Sequence, residues 1–393
     1  MKPLGITSST LTTGLGAGRA VTLAGLKAGH TGLAPARFMD VALPTWTGEV
    51  TEADAVALPA ALRDFDCRNN RLAWLGLQQD GFIDAVQRAR QRWGAHRVGV
   101  FLGTSTSGLL QTELTYHHRA PDGSLPASYL YATTQNAHSL AAFTARALGL
   151  EGPSSVVSTA CSSSAKVFGN AARMIQAGLI DAAVVGGVDS MCLTTLHGFN
   201  SLELLSPQIC RPWDAARNGL SLGEAAAFAL VERNSDAPQG WLLGVGESND
   251  GHHMSTPHPE GAGAIAAMQM ALADASLAAT EIDYINLHGT ATPSNDAAED
   301  RAVASVFGLD TPASSTKGAT GHTLGAAGGV EAVIALLGLQ HGFMPGGLNV
   351  QTLDPALHVN YLLGNRDAPL RHVLSNSFGF GGSNASLVFG AVR

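Results

Sequence analysis

Four short stretches gather the residue types that can do covalent or acid–base chemistry: TACSSS around Cys161, LHGTATPSND around His288, KGATGHTLGAAG with Lys317 and His322, and NSFGFGGSN around Phe380. Cys161 is the strongest nucleophile among them. An apolar run from Val156 leads into it, and beyond it Ala165, Phe168, Ala172 and Ile175 recur at helical spacing until Gly178, where the helix is expected to stop. A thiol at a helix start faces unpaired backbone N–H groups and the positive end of the helix dipole, and both favour thiolate. The same N–H groups can hold a developing oxyanion. Taken singly, each residue has a plainer reading: a lone cysteine is a small buried apolar residue, His288 a hydrogen-bonded histidine at a strand end, and His322 a turn residue. One thiol together with two imidazoles favours a nucleophile served by groups that donate or accept protons.

In open α/β sheets reacting groups gather at the carboxyl ends of parallel strands, so these stretches are expected at strand exits. Residues 4–8 read as a strand, followed by Gly14, Gly16 and Gly18 and a helical pattern over 19–27. The third glycine of a dinucleotide loop would fall at Arg19, so the glycines are read as a tight turn and not as nicotinamide binding. Residues 68–79 form an amphipathic helical pattern with Arg68 and Arg71 on one face. Residues 97–103 read as an interior strand entering TSTSG, without the G-x-S-x-G elbow of serine hydrolases. Residues 181–189 read as another, so strand, helix and strand around Cys161 imply parallel pairing. A strand over 224–232 is followed by a polar boundary at 233–240 that contains Pro238. Then come a strand over 241–248, a helix over 262–277, an apolar strand over 282–288 with His288 at its exit, a helix over 330–339, and strands over 373–377 and 385–389 around a glycine turn. The expected division is an N-terminal half, residues 1–235, carrying Cys161, and a C-terminal half, residues 236–393, carrying both histidines.

The 393 residues suffice for two such units, and 45% hydrophobic residues, 14% charged ones and 46 glycines suggest a packed α/β protein with short connections. So little charge leaves surface for self-association. A net charge of −8 argues against general nucleic-acid binding. Cys67, Cys161, Cys192 and Cys210 lack the close pairing of a zinc site and are sparse for a disulfide framework, so a reducing compartment and no metal are expected. His117, His118, His252 and His253 have no role that the sequence argues. The N-terminus MKPLGITSSTLTTGLG has no apolar signal core, and no apolar run reaches the ~20 residues of a membrane span. A soluble, cytoplasmic protein is the expectation.

The four stretches, in this order, resemble the β-ketoacyl-acyl carrier protein synthases, elongating condensing enzymes of the thiolase superfamily, and the likeness covers nearly the full chain, including SLELLSPQICRPWDAARNGLSLGEAAAFALVE. The resemblance implies a five-layer αβαβα fold of two similar halves and an acyltransferase that performs a decarboxylative Claisen condensation. Cys161 would take an acyl chain from a carrier thioester. Malonyl-carrier would then lose carbon dioxide, and its enolate, hydrogen-bonded by His288 and His322, would attack that acyl group. The resemblance also implies an oxyanion hole from the Cys161 and Phe380 N–H groups, a supporting ion pair between Lys317 and Glu331, and a hold on the phosphopantetheine arm by Thr290 and Thr292. Phe380 would be a gate, Phe199 would line the acyl pocket, and Glu299 would be a buried structural or cation-binding group. No cofactor is implied beyond the phosphopantetheine that arrives on the carrier protein. Acyl carrier protein is the implied partner, and the implied assembly is a homodimer or a heterodimer with a chain-length partner. Arg68 and Arg71 match a helix where related synthases carry basic groups for the acidic carrier.

The pattern departs at Asn218, Leu220 and Ala225, where the family usually has aspartate, phenylalanine and glycine. Together with a compact middle stretch, this suggests a specialised clade of the kind used in aryl polyene or polyketide pathways as well as in fatty-acid synthesis. A chain-length factor would lack the cysteine that is present here. A coenzyme A thiolase would add a second cysteine in the C-terminal glycine-rich motif, and NSFGFGGSN has none. A coenzyme A-primed initiation synthase would use Cys, His and Asn, against which the pair His288 and His322 argues.

Overall fold

The computed structural model describes residues 1–235 and 237–392. Ten strands carry the architecture: β1 (Leu4–Thr13), β2 (Val98–Gly103), β3 (Ser154–Val157), β4 (Ala182–Asp189), β5 (Ala225–Glu232), β6 (Gly240–Asn249), β7 (Tyr284–Asn286), β8 (Ala313–Ser314), β9 (His372–Gly379) and β10 (Ser383–Gly390). They form one hydrogen-bonded path in the order β8-β7-β9-β10-β6-β1-β5-β4-β2-β3, with the short strand Gly16–Ala17 folded back on the end of β1. The path has an internal symmetry. Counted within β1–β5 and within β6–β10, the spatial order is the same: first, fifth, fourth, second, third. The pairings repeat as well, antiparallel at the first two contacts and parallel at the last two. A short antiparallel register between β1 and β6, Leu4 opposite Leu242, joins the two sets.

The helices are α1 (Arg19–Lys27), α2 (Arg68–Leu77), α3 (Phe82–Trp93), α4 (Leu109–Tyr116), α5 (Ser139–Leu148), α6 (Ser163–Gln176), α7 (Leu193–Ser201), α8 (Ala262–Ala275), α9 (Pro293–Phe307) and α10 (Ala327–His341), with a single turn at Lys317–Thr320. Their apolar faces sort them into layers. Leu72, Phe82, Val86 and Phe143 of α2, α3 and α5 pack on the outer face of the first strand set, against Val100, Val184 and Phe228. Met268 and Leu272 of α8 and Val303 of α9 cover the outer face of the second, against Ile285, Leu374 and Val388. Between the sets lie α6 and α10, whose Phe168, Ile175, Ala335 and Leu336 meet Val185 and Val231 on one side and Val373, Leu387 and Phe389 on the other. This is the five-layer αβαβα arrangement. A layer covered on both sides has no water-facing side, which is why the sheet strand β4 and the middle-layer helix α10 read as continuous apolar runs. Leu324–His341 is the one stretch among the described residues long and apolar enough to cross a membrane, and it is 89% buried within the protein.

The strand–helix–strand unit around Cys161 differs in one respect from its expected form. β3 and β4 are parallel, but β2 lies between them and pairs with both, so the α6 crossover skips a strand. The expected division at residues 235 and 236 falls in the connection from β5 to β6, and residue 236 lies outside the described residues.

Candidate active site

Cys161 stands between the end of β3 and the start of α6, one residue ahead of the cap residue Ser162. Ala160 bends the chain into it with a φ of 52°. The turn is fixed by its own hydroxyls: the Thr159 N–H donates to Ser163 Oγ at 2.8 Å, and Ser163 Oγ donates to the Ala160 carbonyl at 2.6 Å. At Gly103, where β2 ends, a Cβ would lie 2.3 Å from the Ser164 nitrogen, so only glycine lets the strand exit press against the start of α6. The turn after β9 approaches from the other set. A Cβ at Gly379 would lie 3.2 Å from the Cys161 nitrogen, and the next residue, Phe380, directs its backbone N–H at the Cys161 sulfur.

Cys161 is 5% exposed, and burial pushes its thiol up to about 11. The positive charge of Lys317 and the Phe380 N–H act in the opposite direction without prevailing. A thiolate favoured by the helix start is therefore not the resting state, because the sulfur has lost more solvation than these groups return.

His288 follows β7 and His322 follows the Lys317–Thr320 turn, and their rings meet edge to face at 5.3 Å between centroids. Sγ of Cys161 and one ring nitrogen from each histidine lie within 4.8 Å of one another. The two rings share a feature that sets their chemistry. Nδ1 of His322 accepts the Leu324 N–H at 3.0 Å, and Nδ1 of His288 faces the Lys317 ammonium at 3.4 Å. Both partners can only donate, so each neutral ring must carry its hydrogen on Nε2. Burial, with the charge of Lys317 next, holds both imidazoles well below their usual pKa, so they are neutral donors near pH 7.

Lys317, itself buried, is held by the His288 carbonyl at 2.5 Å and by an ion pair with Glu331 of α10. Burial pushes the Glu331 carboxyl up to about 7 against the pull of Lys317. Glu299, on α9, accepts the His288 and Gly289 N–H groups at 2.8 and 2.7 Å and the Asn376 amide at 3.2 Å. Its two oxygens thus hold the histidine loop in place, while burial raises its carboxyl to about 7.

Cys161, His288 and His322 share a cleft with Phe199, Thr290, Thr292 and Phe380. Phe199 and Phe380 stack at 5.6 Å across it. Thr292 is the cap residue of α9 but makes no side-chain cap bond; its hydroxyl meets that of Thr290 at 2.9 Å on the cleft wall. Leu220, one of the departures noted above, also lines the cleft, as does Leu204.

Arg68 requires a correction. It is buried, with Nε and Nη2 on Glu224 at 2.7 Å each and a further ion pair to Asp54, so it is not a surface charge for a carrier. Arg71 lies nearer the surface and forks onto Asp66 at 2.5 and 2.8 Å. Helical spacing placed both on one face, but that face turns inward at Arg68.

Sequence reasoning missed several supporting groups. Asp189, buried at the exit of β4, accepts the Ser105 and Thr106 N–H groups, the hydroxyls of Thr104 and Thr106, and the Ala326 N–H, and so ties the two sets together at the turn Leu324–Ala326. An acidic residue ending an apolar strand was the available signal. Asp296 organises the loop after His288 by accepting the Thr290, Ala291 and Trp213 N–H groups. Residues 250–257 form another cleft wall, and their hold on the Phe380 turn, Gly381 N–H to the Met254 carbonyl at 2.7 Å and Asp250 N–H to the Gly382 carbonyl at 2.9 Å, had no sequence signal.

Residues 69–237 match the family described as "Beta-ketoacyl synthase, N-terminal domain", and residues 240–351 match "Beta-ketoacyl synthase, C-terminal domain". The chain is 34% identical over 376 residues to 3-oxoacyl-[acyl-carrier-protein] synthase 2 of Coxiella burnetii, covering 87% of this chain and 91% of that protein. It is 39% identical over 265 residues to the mitochondrial 3-oxoacyl-[acyl-carrier-protein] synthase of Arabidopsis thaliana, which is 62% of this chain and 58% of that protein. Among solved structures, a chain of the complex between the ketosynthase ApeO and its chain length factor ApeC from Xenorhabdus doucetiae superposes with a TM-score of 0.87 at 37% identity, covering 99% of this chain and 98% of that one.

Proposed function

Because this chain belongs to the β-ketoacyl synthase family, we propose that it is a β-ketoacyl-[acyl carrier protein] synthase that extends a carrier-bound acyl chain by two carbons. The observation that carries the mechanism is the pair of occupied Nδ1 atoms, which turns both imidazoles into Nε2–H donors beside one buried thiol. In the first half-reaction the Cys161 sulfur attacks the acyl thioester, its proton leaves with the departing phosphopantetheine thiol, and the acyl group rests on Cys161. In the second, malonyl-carrier loses carbon dioxide and the electron pair moves onto the thioester oxygen. Two neutral N–H donors stabilise that enolate without giving up a proton to it. The enolate carbon attacks the acyl carbon, the tetrahedral oxygen is held by the Cys161 and Phe380 N–H groups, and collapse breaks the C–S bond, so that Cys161 leaves as a thiolate and takes one proton from solvent to return to its resting thiol. Neither imidazole has a free lone pair, so neither is placed to act as a base in these steps.

Thr290 and Thr292 are read as hydroxyl partners for the phosphopantetheine amides, Phe199 and Phe380 as the two sides of an aromatic gate, and Lys317, Glu331 and Glu299 as positioning groups. Of the two proposed docking arginines, Arg71 alone keeps an accessible side chain. A dimer, of two copies or with a chain-length partner, is supported by β3, which ends the strand path and, among the described residues, pairs only with β2. A cytoplasmic setting is supported by four free, buried thiols. The reading covers fatty-acid, polyketide and aryl polyene chains alike.

The test is the intact mass of wild type and Cys161→Ala after incubation with acyl-carrier thioesters of several lengths. An adduct on wild type only, discharged by malonyl-carrier as a β-ketoacyl product two carbons longer, is expected. Absence of an adduct with every chain would replace this reading with that of a non-catalytic partner subunit.

A further inference from the structure

The three reacting side chains are also of the types that bind zinc. One thiol and two imidazoles, buried, with ligand atoms within 4.8 Å of one another and a cleft for a fourth ligand, make a Cys-His-His donor set of the kind catalytic zinc sites use. A metal in this place would occupy the lone pair that Cys161 needs for the acyl group. The site thus carries a hazard that comes from its own residue types.

The hydrogen bonds behind the rings oppose that outcome. A neutral imidazole ligates through its bare nitrogen and holds its hydrogen on the other. Here Nδ1 of His322 is covered by the Leu324 N–H and Nδ1 of His288 by the Lys317 ammonium, while Nε2 in each ring carries the hydrogen. Neither nitrogen of either ring offers a lone pair to the cleft. Metal ligands in proteins usually have the reverse arrangement, with the second nitrogen donating to a carboxylate or carbonyl. Moving the hydrogen to Nδ1 would set N–H against N–H at both rings. In addition, Lys317 brings a buried positive charge against His288, fixed by the His288 carbonyl and Glu331, and that charge repels any cation entering the cleft.

We propose that Lys317 and the Leu324 amide exclude thiophilic divalent cations, zinc foremost, from a site built of zinc ligands, and so keep Cys161 free for acylation.

The test uses Zn2+ alone with the full-length protein. Binding is followed by competition with a chromophoric chelator, and occupancy at Cys161 by protection from iodoacetamide, read as intact mass. Wild type is expected to be alkylated at the same rate with and without micromolar Zn2+. The paired variant Lys317→Met/Glu331→Gln, which removes the ammonium without leaving a buried carboxylate unpaired, is expected to bind one Zn2+ per chain at least about tenfold more tightly, the equivalent of one lost buried hydrogen bond. Adding Cys161→Ser should abolish the gain. Zinc protection of wild-type Cys161, or no gain in a paired variant with native circular dichroism, would overturn the proposal. If the paired variant does not fold, the wild-type comparison decides alone. No acyl substrate enters any arm, so failure of the condensing reading and failure of this one are separable.

Discussion

At the scale of single residues, the decisive balance is at Cys161, where burial outweighs one ammonium and one backbone N–H. A thiol at about 11 leaves roughly one part in ten thousand as thiolate at pH 7, so its alkylation rate should rise about tenfold per pH unit well beyond pH 9, where an ordinary thiol has levelled off. Lys317 is a charge that lowers this pKa, and Glu331 is one that raises it by less, so removing both raises the value further on balance. In the Lys317→Met/Glu331→Gln pair the iodoacetamide pH–rate profile should therefore lie to the alkaline side of wild type. A profile that levels off near pH 8 in wild type would show the opposite balance. The identity of the nucleophile was legible from TACSSS and the helical spacing after it. Its protonation was not, because solvation depends on Gly379, Phe380 and Lys317, which arrive from more than 150 residues away in the chain. The histidines show the same limit. Their types and order were legible, but their tautomers depend on a backbone amide at Leu324 and an ammonium at Lys317.

At the scale of elements, α2 shows where a pattern misleads. Arg68 and Arg71 share a helical face, and spacing alone cannot say that Glu224, 156 positions along the chain, waits under one of them. The first residue is part of a buried ion pair and the second is a partly exposed one, so they should respond differently. Arg68→Ala leaves the Glu224 carboxylate buried and should cost ~3–5 kcal/mol in denaturant unfolding. Arg71→Ala, at the rim, should cost no more than ~1 kcal/mol. Equal small losses at both positions would mean that Glu224 finds water or another partner. Most strands and the helices α1, α2, α6, α8 and α10 were readable to within a few residues, since apolar runs and helical spacing mark them, and α1 falls on residues 19–27 as expected; α3, α4, α5, α7 and α9 were not read. What periodicity could not convey was neighbourhood, such as the insertion of β2 between β3 and β4.

At the scale of the whole molecule, the nucleophile belongs to one strand set and both imidazoles to the other, and the alignment between them is made in the middle layer. There the Gly329 N–H of α10 donates to Ser164 Oγ of α6 at 2.8 Å, and a Cβ at Gly328 would strike Ala165 at 2.7 Å. The sequence suggested two alternating halves, but the repeated strand order came only from the register, for which no period in residues exists to be read.

Trp241 of β6 lies opposite Gly5 on one side and Gly390 on the other, so the beginning of β1 and the end of β10 are about 10 Å apart, two strand spacings. The order in which the two strand sets are translated is thus not imposed by the geometry they adopt. A circularly permuted chain, opened in the connection before β6 and closed from residue 393 to residue 1 with a few added glycines and serines, should fold and retain acyl transfer to Cys161. Loss of that transfer in a folded permutant would mean that the order of synthesis, and not only the final packing, sets the distance between thiol and imidazoles.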